Sequence, residues 1–149
     1  MCYNTNRPVS PNRKCPGNGR GVILISKRIL IVEDDPSVLR ATSYILQKEG
    51  YEVLTAQDGL EGLKKARGDN PDLLVLDVML PGIDGFEICH SLRGEPKTAG
   101  LPILMFSAKG QESDRATGLK VGADEYLTKP VDREVLLGKV ADLLAAKSR

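Results

Sequence analysis

Apolar residues along this chain fall into five short runs, each stopped by turn or cap residues, with helical spacing between them. Leu73-Leu74-Val75-Leu76 runs into Asp77, and Pro81-Gly82 ends the segment. A continuous aliphatic run of this kind, bounded by turn residues, reads as a strand buried on both faces. Asp77 therefore falls at the carboxyl end of a central strand. Ile29-Leu30-Ile31-Val32 predicts a first strand over Arg28–Val32, followed at once by Glu33-Asp34-Asp35-Pro36. Tyr51–Ala56, Pro102–Phe106 and Asp124–Thr128 predict the second, fourth and fifth strands, the fourth running into Ser107-Ala108.

Between these runs the period lengthens. Asp35 before Pro36 has the form of an N-cap followed by proline at the first helical position. That helix carries Val38, Ala41, Ile45 and Leu46 on one side and stops at Gly50. Asp58 with Glu61, and Asp84 with Glu87, have the spacing of capping boxes. They open a second helix ending near Gly68 and a third marked by Phe86, Ile88, Cys89 and Leu92. Gly94–Gly100 is a loop. The fourth helix, about Ser113 to Val121, is weak, with little apolar face beyond Ala116 and Leu119. The fifth, Asp132 to about Lys147, puts Leu136, Val140, Leu143 and Leu144 on one stripe. Strict alternation of strand and helix predicts an α/β domain with a parallel sheet covered on both faces and right-handed crossovers.

Composition changes this picture in one respect. The formal net charge of +1 hides an asymmetry. Residues 1–28 hold six Arg and Lys and no Asp or Glu, while the remainder holds 15 basic and 20 acidic residues. Residues 1–27, rich in Pro, Asn, Gly and Arg and without periodicity, read as a disordered basic leader or tag. Residues 28–149 read as one acidic folded domain. Cys2, Cys15 and Cys89 are too few and too scattered for a disulfide framework or a zinc site. Cys89 sits in an apolar helical pattern and reads as a small core residue. No run approaches the roughly 18 apolar residues of a membrane span, and Val22–Ile25 is too short for a secretory signal. A cytoplasmic protein is the expectation.

The candidate chemistry lies at the strand ends. In open α/β sheets the binding crevice lies beyond the carboxyl ends of the strands. Glu33-Asp34 leave the first strand there, Asp77 the third, Ser107 the fourth, and Thr128-Lys129 the fifth. Three carboxylates converging on one crevice cannot all stay ionised without a cation. Oxygen donors without His or Cys point to a hard ion such as Mg²⁺. His90, the one histidine, lies inside the third helix and is given no role. The plainer readings stand beside this one. A carboxylate after a strand can simply cap the next helix, as Asp35 and Asp84 do; Ser107 can be a loop hydroxyl, Lys129 a solvated charge, and Tyr126 strand packing.

Four blocks together carry a resemblance: Ile31-Val32-Glu33-Asp34-Asp35, Leu76-Asp77-Val78-Met79-Leu80-Pro81-Gly82-Ile83-Asp84-Gly85, Phe106-Ser107-Ala108 and Tyr126-Leu127-Thr128-Lys129-Pro130. In order and spacing, over about residues 28–147, they resemble the receiver domain of bacterial two-component response regulators. The resemblance implies a flavodoxin-like doubly wound (βα)5 sandwich with five parallel strands in the order 2-1-3-4-5. It implies that Asp77 is the phosphoacceptor, taking a phosphoryl group from a sensor histidine kinase or a histidine phosphotransfer protein. Glu33, Asp34 and Asp77, with the backbone carbonyl of Met79, would hold Mg²⁺. Ser107 would hydrogen-bond the phosphoryl group, with Ala108 as the small neighbour. Lys129 would pair with a phosphoryl oxygen, across a cis bond to Pro130, and Tyr126 would be the aromatic switch.

Two positions set this chain apart within the resemblance. Glu33 stands where Asp is usual, and Met79 lies two residues beyond the phosphoacceptor. An apolar Met79 orients no water, so slow self-dephosphorylation is expected. The same residue counts against the reading from another class, a Mg²⁺-dependent phosphatase or phosphotransferase with an aspartyl nucleophile, which usually carries a second acid there. A signalling receiver that catalyses only its own phosphotransfer and dephosphorylation is therefore expected, rather than a turnover enzyme. Its effector partner would dock on the fourth helix, fifth strand and fifth helix, where Arg115, Lys120, Arg133 and Lys139 make a basic face. Direct nucleic-acid binding is not expected, since the folded part is acidic and no helix-turn-helix follows. Ending at Lys147-Ser148-Arg149 favours a stand-alone regulator over a relay intermediate or the receiver of a longer protein.

Overall fold

The computed structural model describes residues 27–147, so the expectation for the basic leader lies outside the described residues. Five strands alternate with five helices: β1 (Arg28–Val32), α1 (Pro36–Lys48), β2 (Glu52–Ala56), α2 (Gly59–Gly68), β3 (Leu73–Leu76), α3 (Gly85–Arg93), β4 (Ile103–Ser107), α4 (Glu112–Lys120), β5 (Glu125–Thr128) and α5 (Arg133–Lys147). All pairings are parallel, in the order β2-β1-β3-β4-β5. That is the flavodoxin-like order, and every predicted element is present with its ends moved by a residue or two.

The alternation of strand side chains divides the interior into two cores. Leu30, Val32, Leu74, Leu76, Ile103, Met105 and Tyr126 point to one side, against Leu63 and Ala66 of α2 and Ile88, Cys89 and Leu92 of α3. Ile29, Ile31, Leu73, Val75, Leu104, Phe106 and Leu127 point to the other, against Leu39 and Leu46 of α1 and Leu136, Val140 and Leu144 of α5. Both faces of β3 are thus covered, which is why its sequence is an unbroken aliphatic run. Burial pushes the Cys89 thiol up to about 11, as befits a core residue.

The predicted caps are present. Asp35 accepts from the backbone N–H groups of Ser37 (2.9 Å) and Val38 (3.5 Å), with Pro36 opening α1. Asp58 accepts from Glu61 N–H, and Asp84 and Glu87 form a reciprocal capping box. The predicted face of α1 needs correction. Its buried residues are Leu39, Thr42 and Leu46, Val38 and Ile45 flank them, and Ala41 is exposed. Paired apolar residues at 38–39 and 45–46 fit either of two stripes, and the sheet selects the one with a buried threonine. The apolar face of α4 needs the same correction. Ala116 and Leu119 are exposed, and Gly118 is the buried residue.

One glycine fixes how α3 meets the end of β3. A Cβ on Gly85 would lie 2.3 Å from the carbonyl oxygen of Asp77 and 2.8 Å from the Cα of Val78. Those neighbours are backbone and cannot swing aside. Gly85 N–H in turn donates to Val78 O at 2.8 Å, tying the helix start to the chain leaving the strand. Overpacking against fixed backbone costs about 1–3 kcal/mol. Gly85→Ala should therefore lower the urea midpoint by that much stability with an unchanged denaturant slope, whereas an unaltered midpoint would show that α3 shifts freely.

Candidate functional site

The ladders of the central strands continue one residue past the strands themselves. Val32 pairs with Leu76, Leu76 with Met105, and Ser107 with Thr128. Beyond them, Glu33 N–H donates to Ala56 O (3.0 Å), Asp77 N–H to Val32 O (3.1 Å) and Lys129 N–H to Ser107 O (2.8 Å). Glu33, Asp77 and Lys129 are thus set by sheet hydrogen bonds, while their side chains lie at the carboxyl edge. Position there is a matter of register, and register is fixed by the buried aliphatic runs.

The predicted acidic cluster is present. Oxygen atoms of Glu33, Asp34 and Asp77 lie within 4.8 Å of one another. Glu33 and Asp77 are buried and Asp34 is exposed, so the cluster opens to solvent on one side. The ammonium of Lys129 donates to Glu33 Oε1 and to Asp77 Oδ2, the latter at 3.3 Å. Asp35 N–H donates to the other oxygen of Glu33 at 3.2 Å, and Met79 N–H to Asp77 Oδ1 at 3.2 Å. Burial raises the Glu33 carboxyl above its ordinary range; the hydrogen bond from Lys129 opposes this, and the Asp77 charge adds to it. A single ammonium therefore serves two buried carboxylates.

A hard divalent cation suits this donor set. All three candidate ligands offer carboxylate oxygens, and no nitrogen or sulfur donor is among them. The ammonium already seated between Glu33 and Asp77 marks the place as one where positive charge is stabilised.

Ser107, Tyr126 and Lys109 form a second group beside the first. Ser107 is fully buried, and its Oγ accepts from Lys109 N–H at 3.2 Å. Tyr126 is fully buried, and its phenol donates to Lys109 O at 2.6 Å. Burial is the main cause that raises the Tyr126 phenol, the Asp114 charge adds to it, and a hydrogen bond with the Ser107 side chain opposes it. Met79 is 55% exposed, and its main-chain N–H is turned to Asp77. Lys129–Pro130 is a cis bond, as the resemblance implies. His90 lies on α3 and is exposed, outside the site.

Two features escape the sequence reading. Phe106 lies under the site, with the Lys129 ammonium 5.4 Å from its ring centroid. Three residues of the predicted basic face also have partners within the fold. Arg115 donates to Tyr126 O at 2.7 Å, Arg133 lies 3.5 Å from Glu49, and Lys139 lies 3.2 Å from Glu125. Of the four basic residues expected there, Arg115, Arg133 and Lys139 are engaged, and Lys120 is exposed. Like-sign residues in a sequence do not reveal the carboxylates that fold against them.

Among the described residues no helix is long and apolar enough to cross a membrane. The alkaline phosphatase synthesis transcriptional regulatory protein PhoP of Bacillus subtilis is 46% identical over 120 residues, which is 80% of this chain and 49% of that protein. The chain therefore spans about half the length of that relative. Protein PilH of Pseudomonas aeruginosa is 39% identical over 118 residues, 79% of this chain and 98% of that one. The crystal structure of a CheY-like response regulator receiver domain protein from Methanospirillum hungatei superposes with a TM-score of 0.78 at 34% identity, covering 83% of this chain and 98% of that one. The response regulator receiver domain family matches residues 29–141, the span that contains every strand end described above. With acids, hydroxyl and lysine meeting on one edge of this sheet, the chain belongs to the receiver domain family of two-component response regulators.

Proposed function

We propose that Asp77 is the phosphoacceptor of this receiver. The observation that carries the reading is the convergence of Glu33, Asp34 and Asp77 within 4.8 Å, with the Lys129 ammonium shared between Glu33 and Asp77. A carboxylate oxygen of Asp77 attacks the phosphorus of a phosphohistidine on a sensor kinase or phosphotransfer protein. The O–P bond forms as the N–P bond breaks, and the electron pair stays on the imidazole nitrogen, which takes a proton from solvent. Such transfers need positioning and charge neutralisation more than covalent help from the protein.

Glu33, Asp34 and Asp77, with the backbone carbonyl of Met79, would hold Mg²⁺, which neutralises phosphoryl oxygens when bound. The Met79 N–H bond to Asp77 Oδ1 orients the carboxylate. Glu33 is oriented by Asp35 N–H on one oxygen and Lys129 on the other. Lys129 reaches the Asp77 oxygen already and pairs with a phosphoryl oxygen once it arrives. Ser107, whose Oγ accepts from Lys109 N–H, then donates its hydroxyl proton to the phosphoryl group.

That exchange supplies contacts available in one state only, which is what shifts a two-state equilibrium. A nearly complete shift asks for about 5.5 kcal/mol. The readout would be the α4–β5–α5 face, docking a downstream effector, and the protein would work in the cytoplasm. The enzyme reading is disfavoured by Met79, which offers neither acid nor base at the position where a hydrolase of this type carries one.

Incubation with acetyl phosphate and Mg²⁺ separates the two. A receiver takes up about one phosphoryl group per chain, and Asp77→Asn takes up none. Continuing phosphate release, or undiminished labelling of Asp77→Asn, overturns the assignment. The exposed Met79 also sets the lifetime of the acyl phosphate. A polar side chain there would hold a water by one hydrogen bond, so Met79→Asn should speed dephosphorylation by about three- to tenfold. Equal decay rates in the two proteins would contradict this role.

A further inference from the structure

Strand β2 ends the order β2-β1-β3-β4-β5, so one side of its main chain has no neighbouring strand. Glu52 N–H donates to Lys27 O, and Ala56 O accepts from Glu33 N–H, which turns Glu52 and Ala56 toward β1. Alternation along the strand then turns the main-chain groups of Tyr51, Val53, Thr55 and Gln57 outward. An outward row of N–H and C=O groups is a template for another chain. Several members of this row are already taken. Tyr51 N–H donates to Leu46 O at the end of α1, at 3.2 Å. From α2, the Lys65 ammonium donates to Thr55 O, and Glu61 Oε1 accepts from Gln57 N–H at 3.0 Å. Glu61 and Lys65 are themselves paired at 3.2 Å, one helical turn apart. The bond from Gln57 N–H, and after it the one from Lys65, hold the Glu61 carboxyl below its ordinary range.

We propose that Glu61 and Lys65 close this edge against strand addition, and that the strand they exclude is β2 of a second copy of the chain. The register suits self-pairing. A twofold axis at Leu54 would set Val53 opposite Thr55 of the other copy, each pair exchanging N–H···O bonds as in an antiparallel ladder. Thr55 O is an acceptor that this ladder needs, and it is the one that Lys65 holds. The same axis puts Glu52 opposite Ala56, so no like charges face each other across the pair. Val53, Leu54 and Thr55 are half-buried and uncharged, so the strip offers a second copy contact area with no charge to desolvate. Lysine beside an exposed edge is a general obstacle to such pairing; here its ammonium sits on the acceptor itself. The guard uses no residue of the acidic cluster and stands apart from the phosphoacceptor reading.

Sedimentation of the unphosphorylated full chain over a range of concentrations tests it, with amide exchange at Val53 and Thr55 as the second readout. Losing the charge-assisted bond in Lys65→Ala should raise the self-association constant about tenfold. Glu61→Ala, which frees Gln57 N–H and unties Lys65, should raise it about two- to threefold. Lys64→Ala removes the same charge from the exposed neighbour and should leave it unchanged. In Lys65→Ala, exchange at Val53 and Thr55 should slow as concentration rises. Adding Val53→Pro removes an outward donor at a place an edge strand tolerates, and should return the constant to that of the unaltered chain. An unchanged constant in Lys65→Ala or Glu61→Ala overturns the proposal, as does an equal rise in Lys64→Ala. So does association that survives Val53→Pro or leaves exchange at Val53 and Thr55 independent of concentration. If the double variant does not fold, the exchange measurement on Lys65→Ala decides the matter alone.

Discussion

Carboxylates crowded at one sheet edge, with a single ammonium to balance them, are the constraint on which this structure turns. Glu33 and Asp77 are buried, and one lysine serves both. Burying an ion pair costs desolvation that its attraction only partly offsets. Burial pushes the Glu33 carboxyl up even with Lys129 bonded to it. A protein selected for stability alone would place apolar groups there. Under the proposed function, the charges are kept to stabilise the further charge of a cation and a phosphoryl group.

The rest of the molecule makes that arrangement tolerable. Aliphatic runs in β1, β3 and β4 are buried on both faces, and their register carries Glu33 and Asp77 to a common level, with Ser107 one residue further along β4. Backbone hydrogen bonds one residue past the strands hold the functional residues before any side chain contact is made. Gly85 lets α3 close directly onto the chain that leaves Asp77. Rigid scaffold and polar edge are thus built from the same segments. At α4 the pattern changes: the helix is polar, its buried residue is Gly118, and few buried apolar contacts mark an element of low local stability.

The sequence made much of this legible, for physical reasons that differ between residues. Strands announced themselves because burial on both faces demands uninterrupted aliphatic side chains, as at Leu73–Leu76. Helix starts were legible because Asp35, Asp58 and Asp84 satisfy backbone N–H groups that need a partner. Glu33, Asp34, Asp77, Ser107 and Lys129 could be assigned to one edge from alternation alone, and their convergence follows. Other features left no pattern to read. The choice between two stripes on α1 depends on the crossing over the sheet, which buries Thr42 and exposes Ala41. Gly118 has no side chain, so its close contact with Tyr126 writes nothing into hydropathy. Arg115, Arg133 and Lys139 looked like a free basic face because their partners, Tyr126 O, Glu49 and Glu125, come from other elements.

The account's central claim, that these acids form one cation site around the residue that takes the phosphate, is tested most directly by calorimetric titration of Mg²⁺ into the unphosphorylated chain. It predicts about one ion bound per chain, with affinity falling at least about tenfold in both Asp34→Asn and Asp77→Asn. Binding of undiminished affinity in either variant would contradict it.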